Sequence, residues 1–429
     1  MKFLGMETDP ERFSTANELH ARPFPSIQSS GHAMCLALRN PENARVDGAQ
    51  SEATLARLLD RYGAAHPPEG ANHYFGQIGR YRLKWERHTE FETYTLFSDQ
   101  PLEQAFQLPE TLLPPEWCQS VEAKVLTAVL VQIEKVPQGV SVSEGVAAFT
   151  AQNFVPESTC VSVVSDGTAV VASDFSIDEA GFVRVLVRAT SEMGPQRLGR
   201  ITQRLIEIET YKAMSMLSLP VARGVSGQLA SIDRKLTQIV GGFAHDDESD
   251  SARFDELVSI SAEIEDISAR TDNRFSAARA YSFIVNRRIE VLREERLDAR
   301  QTIGEFMMRR FEPAMRTCES TADRLSATAA RATRAAQLLR TRADVARENQ
   351  NQEIMERMDN RAALQLKLQK TVEGLSVVAI SYYAVNLTSY ALSPLAKLVG
   401  MEKTTLTAVL VIPVLLAVWL IVRRIRKAL

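Results

Sequence analysis

The chain has 429 residues, 45% of them hydrophobic and 24% charged, with a formal net charge of -3. That balance excludes a disordered chain, and the missing basic surplus argues against a dedicated nucleic-acid binder. The four cysteines, Cys35, Cys118, Cys160 and Cys318, are far apart and form no CxxC or Cys/His spacing. This argues against a disulfide scaffold or a zinc finger and fits reduced thiols in a cytosolic compartment.

The length allows two or three domains. The apolar start of MKFLGMETDPERF is broken by Glu7, Asp9 and Glu11, so no secretory signal is expected. Residues 1–220 hold most of the glycine and proline and most strand-like segments, which predicts a mixed α/β cytoplasmic domain of α+β type. Within it, Glu18 to Phe24 reads ELHARPF. A strand is expected over Arg80–Phe97, with Lys84, Glu86, His88, Glu90 and Glu92 on one face and Leu83, Trp85 and Phe91 on the other. His20, Arg22, Glu86 and His88 are candidates to converge on a small anion or a metal. The alternative is the charged outer face of a half-buried strand. Further on, 123–133 reads as a buried strand, 160–173 as a hairpin with a two-residue turn at Asp166-Gly167, and 182–189 as a strand with Arg184 and Arg188 on one face. Leu198, Ile201, Leu205 and Ile208 give 196–218 the spacing of an amphipathic helix. No GxSxG, P-loop, strand-linked GxGxxG or HExxH occurs, so no enzyme activity is expected.

Residues 221–373 read as long helices. No glycine or proline separates Gly242 from Gly304, or Pro313 from Gly374. At about 1.5 Å per residue the second stretch would reach ~90 Å as one helix, which predicts a stalk. Leu325, Ala329, Ala332, Ala336, Leu339, Ala343 and Ala346 follow 4-3 spacing. That seam suits self-association or packing on the 250–312 helix of the same chain, and the sequence leaves both open. Before it, Asp246, Asp247 and Glu248 follow His245; their oxygens suit a divalent cation, but the run lacks the ligand spacing of a calcium loop, and a solvated loop capping the next helix is the favoured reading.

Two uncharged runs end the chain, 374–396 and 404–422, each long enough to cross a bilayer. The short loop 397–403 would join them as a hairpin, with a basic tail at 423–429. Arg423, Arg424, Arg426 and Lys427 follow the second run, and Arg357, Arg361, Lys367 and Lys370 precede the first. Positive residues stay inside, so both termini are expected in the cytoplasm. Tyr382, Asn386, Ser389 and Ser393 share one face of the first run. In an oligomer that stripe could line a pore, and in a hairpin it could bond helix to helix. In the loop motif Gly400, Met401, Glu402, the carboxylate could draw cations to a pore mouth.

NELHARPF (17–24), YRLKWERHTEF (81–91), AEIEDISARTDNRFSAARAY (262–281), GEFMMRRFEPAMRTCEST (304–321) and LQKTVEGLSVVAISYY (368–383) resemble a bacterial family of uncharacterised membrane-anchored proteins, domain of unknown function 3422. The resemblance covers most of the chain. It implies a bacterial inner-membrane location and brings no activity. The order of elements also resembles the CorA-type divalent-cation channels, homopentamers whose first span lines the pore and whose loop carries Gly-Met-Asn. Here Glu402 stands in the asparagine's place, which puts magnesium selectivity in doubt. That resemblance implies a homo-oligomeric cation channel gated by its cytoplasmic domain. The alternative is a non-transporting membrane-anchored scaffold or sensor whose cytoplasmic domain binds a ligand or partner. The partners expected are the lipid bilayer and further copies of the chain, without nucleic acid.

Overall fold

The computed structural model describes the chain except residues 1, 4–5, 10, 13–14, 17–23, 42–44, 109–111, 243–249, 399–400 and 429. His20, Arg22, Asp246, Asp247, Glu248 and Gly400 lie outside the described residues. The chain divides into two compact units, Met1–Ala335 and Ala336–Leu429.

The first unit is α+β. Its strands are β1 (Lys2–Phe3), β2 (Met6–Glu7), β3 (Gly31–Arg39), β4 (His73–Ile78), β5 (Tyr81–Arg87), β6 (Glu92–Ser98), β7 (Lys124–Val136), β8 (Cys160–Val164), β9 (Ala169–Ile177), β10 (Val183–Thr190) and β11 (Glu295–Arg296). β1 and β2 pair with each other; the other nine form one sheet in the order β11-β8-β9-β10-β7-β3-β6-β5-β4. β10 and β7 run parallel, and the remaining neighbours are antiparallel. The central strands β3 and β7 are apolar on both faces, as a sheet covered on both sides requires.

Helices α1 (Gly48–Tyr62), α2 (Pro115–Ser120) and α3 (Val146–Asn153) cover one face. There Leu55, Leu58, Trp117 and Val146 pack with Trp85, Tyr94, Leu130 and Leu186. The other face is covered by α4 (Pro195–Met216), α5 (Ser218–Gly242), α6 (Asp250–Leu292), α7 (Ile303–Arg310) and the start of α8 (Glu312–Leu398). Leu198, Ile201, Leu205 and Ile208 of α4 meet Cys35, Val131, Val185 and Val187 there, so the helical spacing read from the sequence is the packing face. Alternation along each strand feeds the two cores separately.

Several expectations change. The stretch Arg80–Phe97 is a hairpin: β5 and β6 pair antiparallel around residues 88–91. The turn shifts the alternation, so Glu92 joins Trp85 on one face and Phe91 joins His88 on the other. The 160–173 hairpin closes through four residues between paired Val164 and Ala169, with Ser165, Asp166 and Gly167 all at positive φ. The glycine-free 242–304 stretch is not one helix. α6 ends at Leu292, Arg293 adopts φ 50°, and the chain adds edge strand β11. The compact unit runs to Ala335, and α5 and α6 lie against α4 within it.

At the start of α8, Thr321, Leu325, Thr328, Ala332 and Ala335 are buried at 4-3 spacing. The stripe is rotated from the expected one: Thr328 is buried where Ala329 was expected, and Ala343 and Ala346 are exposed. Over this stretch the helix packs on its own chain. Asp233 of α5 accepts from Thr328 Oγ1 at 3.1 Å and pairs with Arg324 at 2.7 Å and Arg331 at 3.1 Å.

The second unit contains the rest of α8 and α9 (Lys403–Ala428). Both carry segments long and apolar enough to cross a membrane. Ser381, Ser389 and Val418 are buried within this hairpin, and the Ser389 hydroxyl donates to Thr407 Oγ1 at 3.3 Å. Small hydroxylated residues let apolar helices approach and bond.

Candidate functional site: a polar pocket between sheet and helices

A pocket of about 190 Å³ opens between the sheet face of β3, β5 and β6 and the helices α4 and α6. Strand alternation places Cys35, Lys84, Glu86, Thr93, Thr95 and Phe97 on its floor. Gln203, Ile206, Glu207, Thr210 and Tyr211, one face of α4, form a wall, and Arg288 of α6 reaches in. Phe24 closes one side. Its approach depends on Gly199, where a Cβ would run into the Pro25 carbonyl. The next backbone anchor is the Ile27 amide, which donates to the Pro195 carbonyl at 3.1 Å.

Lys84 is only 3% exposed. Its ammonium makes no hydrogen bond, and its ion-pair partner is Glu86 at 3.1 Å. Gln203 is 8% exposed. Its Nε2 donates to Glu207 Oε1 at 2.8 Å, while its Oε1 has no partner. Arg288 Nε pairs with Glu207 Oε2 at 2.5 Å. Among the described residues the lining thus holds two cations and two carboxylates, each cation beside a carboxylate. Leaving such groups without full hydrogen bonding costs about 1–3 kcal/mol per group, so polar atoms from elsewhere are favoured in the space between them.

The aromatic end of the pocket is fixed by the β5–β6 turn. His88 stacks on Phe91 with centroids 4.2 Å apart, and both meet Tyr211 edge-on. Tyr211 stacks on Tyr281 at 5.6 Å. Glu90 accepts from Arg274 and from the Tyr281 hydroxyl, each at 3.0 Å. Burial, and then the Glu90 carboxylate, push the Tyr281 phenol upward, so it stays a donor. Two distant segments that carried the family resemblance, WERHTEF and RFSAARAY, therefore meet here. Burial pushes the Cys35 thiol up to about 12. It is a protonated wall residue rather than a nucleophile.

Glu86 and His88 share this pocket, as their place on one strand face suggested. Glu92 does not. It lies in the opposite core, where Ser51, Trp85 Nε1 at 3.0 Å and the Tyr94 hydroxyl at 3.4 Å donate to its Oε2. Burial holds its carboxyl above the ordinary value of 4.5. Gln203, Glu207 and Arg288 belong to no motif in the sequence. The one signal in the sequence is that Gln203 and Glu207 are long polar residues flanking Ile206 on the same helix face.

In the second unit the polar stripe is spread over different surroundings. Ser389 is buried against α9, Asn386 and Ser393 are half-buried, and Tyr382 is exposed. Glu402 is exposed beside the first turn of α9 and accepts from Thr404 Oγ1 at 3.3 Å; Met401 precedes it. Among the described residues no group of three or more His, Cys, Asp or Glu is arranged to hold a metal.

No curated protein matches the chain. Residues 7–429 match the family described as "Protein of unknown function (DUF3422)", so the chain belongs to that family.

Proposed function

We propose that the protein is a membrane-anchored, ligand-binding sensor: the unit Met1–Ala335 binds a small polar molecule, and the C-terminal helical hairpin tethers it to a bilayer. One observation carries this reading. A buried lysine and a buried glutamine turn unsatisfied polar atoms into the same pocket, next to aromatic side chains. Binding sites combine an apolar wall with a few convergent polar groups in this way. The anchor rests on the two apolar segments and on the basic residues beside them, which favour both ends on the cytoplasmic side of a bacterial inner membrane.

The CorA-like channel reading assigns Tyr382, Asn386, Ser389 and Ser393 to a pore and Glu402 to its mouth. It requires a ring of copies. Ser389 already spends its hydroxyl on Thr407 of the same chain, which weighs towards the anchor.

The test is a thermal-shift screen of the full chain in detergent against a library of small polar metabolites, repeated with Lys84→Met. Stabilisation of the wild type that is lost in the variant supports the reading. A library without any stabilising compound contradicts it. A discrete pentamer that passes Mg²⁺ or Co²⁺ in proteoliposomes would instead make the hairpin a pore.

A further inference from the structure

We infer that the pocket takes a small zwitterion, a molecule carrying an ammonium and a carboxylate close together, of which an α-amino acid is the simplest example. The inference rests on the ligand-binding reading of this pocket and names its ligand class.

Charge parity is the first argument. Among the described lining residues, Lys84 pairs with Glu86 and Arg288 with Glu207. A net anion entering this space would be drawn to the two cations and repelled by two carboxylates at similar range. A net cation would meet the converse. Neither recovers the cost of leaving water, because an ion in a buried site needs an uncompensated opposite charge. A molecule with one charge of each sign is neutral overall and still finds a complement at both ends.

The free hydrogen-bonding capacity is the second argument. An ammonium has three donors. Lys84 is an ion pair with Glu86 and makes no hydrogen bond, so it can donate to a carboxylate oxygen of a ligand. Gln203 Oε1 is an acceptor without a partner, and the neighbouring Glu207 carboxylate adds acceptor capacity. Together they suit the N–H groups of a ligand ammonium. The floor therefore supplies the donor and the α4 wall the acceptors, and one ligand spanning both satisfies atoms that the protein leaves unsatisfied.

Size and wall chemistry are the third. A dry cavity of ~150 Å³ holds a benzene-sized molecule. At about 190 Å³ this pocket suits a ligand of that order or slightly larger. Phe24, Phe91, Phe97 and Tyr211 offer apolar surface to its carbon frame.

The test is isothermal titration of the detergent-purified full chain with the proteinogenic amino acids. For each binder the matched carboxylic acid without the amine and the matched amine without the carboxylate are titrated next, with inorganic phosphate and glucose as further probes. The expected result is measurable binding of at least one amino acid, weakened about tenfold or more by removing either charged group, the loss of one charge-assisted hydrogen bond. Lys84→Met and Gln203→Leu should each weaken it about tenfold or more while unfolding stays cooperative. If Lys84→Met does not fold, Lys84→Arg and Gln203→Leu decide the matter. Absence of binding by every amino acid, or equal binding of the monocarboxylate, overturns the inference. Lys84-dependent binding of phosphate or glucose in place of amino acids would overturn it while leaving the ligand-binding reading intact. Silence across both this panel and the metabolite screen would sink the two together.

Discussion

Glu92 shows how one residue can carry a legible energetic signature. Its carboxylate is buried among three donors, yet burial outweighs them and raises its folded pKa above 4.5. The folded state therefore holds the proton more tightly than the unfolded chain. The resulting stability is full below about pH 4.5 and is lost as pH rises through the folded value. Glu92→Gln removes the titration and keeps an oxygen for Ser51 and Trp85. Thermal unfolding measured from pH 4 to pH 7 should show the wild type losing stability relative to the variant as pH rises. Parallel curves would mean that Glu92 binds its proton no more tightly in the folded chain than in the unfolded one. The pocket residues are partly legible at this scale. Alternation alone puts Lys84, Glu86 and His88 on one face. It cannot place Phe91 with them or Glu92 opposite, because both depend on a turn at 88–91 that carries no glycine or proline signal.

At the scale of elements, long helices and apolar strands are legible because their patterns are local: all but the first residue of 123–133 lies in β7, and 196–218 matches α4 closely. The end of α6 is hidden because Arg293 takes a left-handed conformation without glycine. The connection beyond Arg293 is nonetheless well specified. Glu294 accepts from Ser162 Oγ and from the Ile303 and Gly304 amides, and Thr302 and Glu305 form a capping box at the start of α7. This local chemistry turns the chain from α6 into α7, whose Phe306 and Met307 are core residues. Thr302→Ala should cost about 1 kcal/mol in chemical denaturation of the full chain. An unchanged midpoint would mean that core burial alone fixes α7. The pocket wall belongs to this scale too. Gln203 and Arg288 meet the β5 residues only because α4 and α6 pack together on one sheet face, and no spacing in the sequence encodes that meeting.

For the whole molecule, the proposed anchor places the loop before α9 on the far side of the membrane from the pocket unit. With Met401→Cys in a background where the four native cysteines are serine, a membrane-impermeant maleimide should label intact cells. A cysteine placed at Leu429 should react only after lysis. Labelling of Leu429→Cys in intact cells would reverse or abolish the hairpin topology. Composition makes the hairpin legible from sequence, since nothing but apolar length is needed to recognise it. The partner of the 4-3 seam is not legible. The seam encodes a contact without naming the other side, and Arg324, Thr328 and Arg331 beside its first residues meet Asp233 of the same chain.

Whether the pocket holds a small molecule can be read directly by native mass spectrometry of the full chain, taken from membranes under mild detergent, beside its Lys84→Met variant. Wild-type subunits should carry an added small-molecule mass, or acquire one when incubated with a polar metabolite extract, and the variant should not. Wild-type and variant subunits of bare polypeptide mass under both conditions would contradict a ligand-binding role for the pocket.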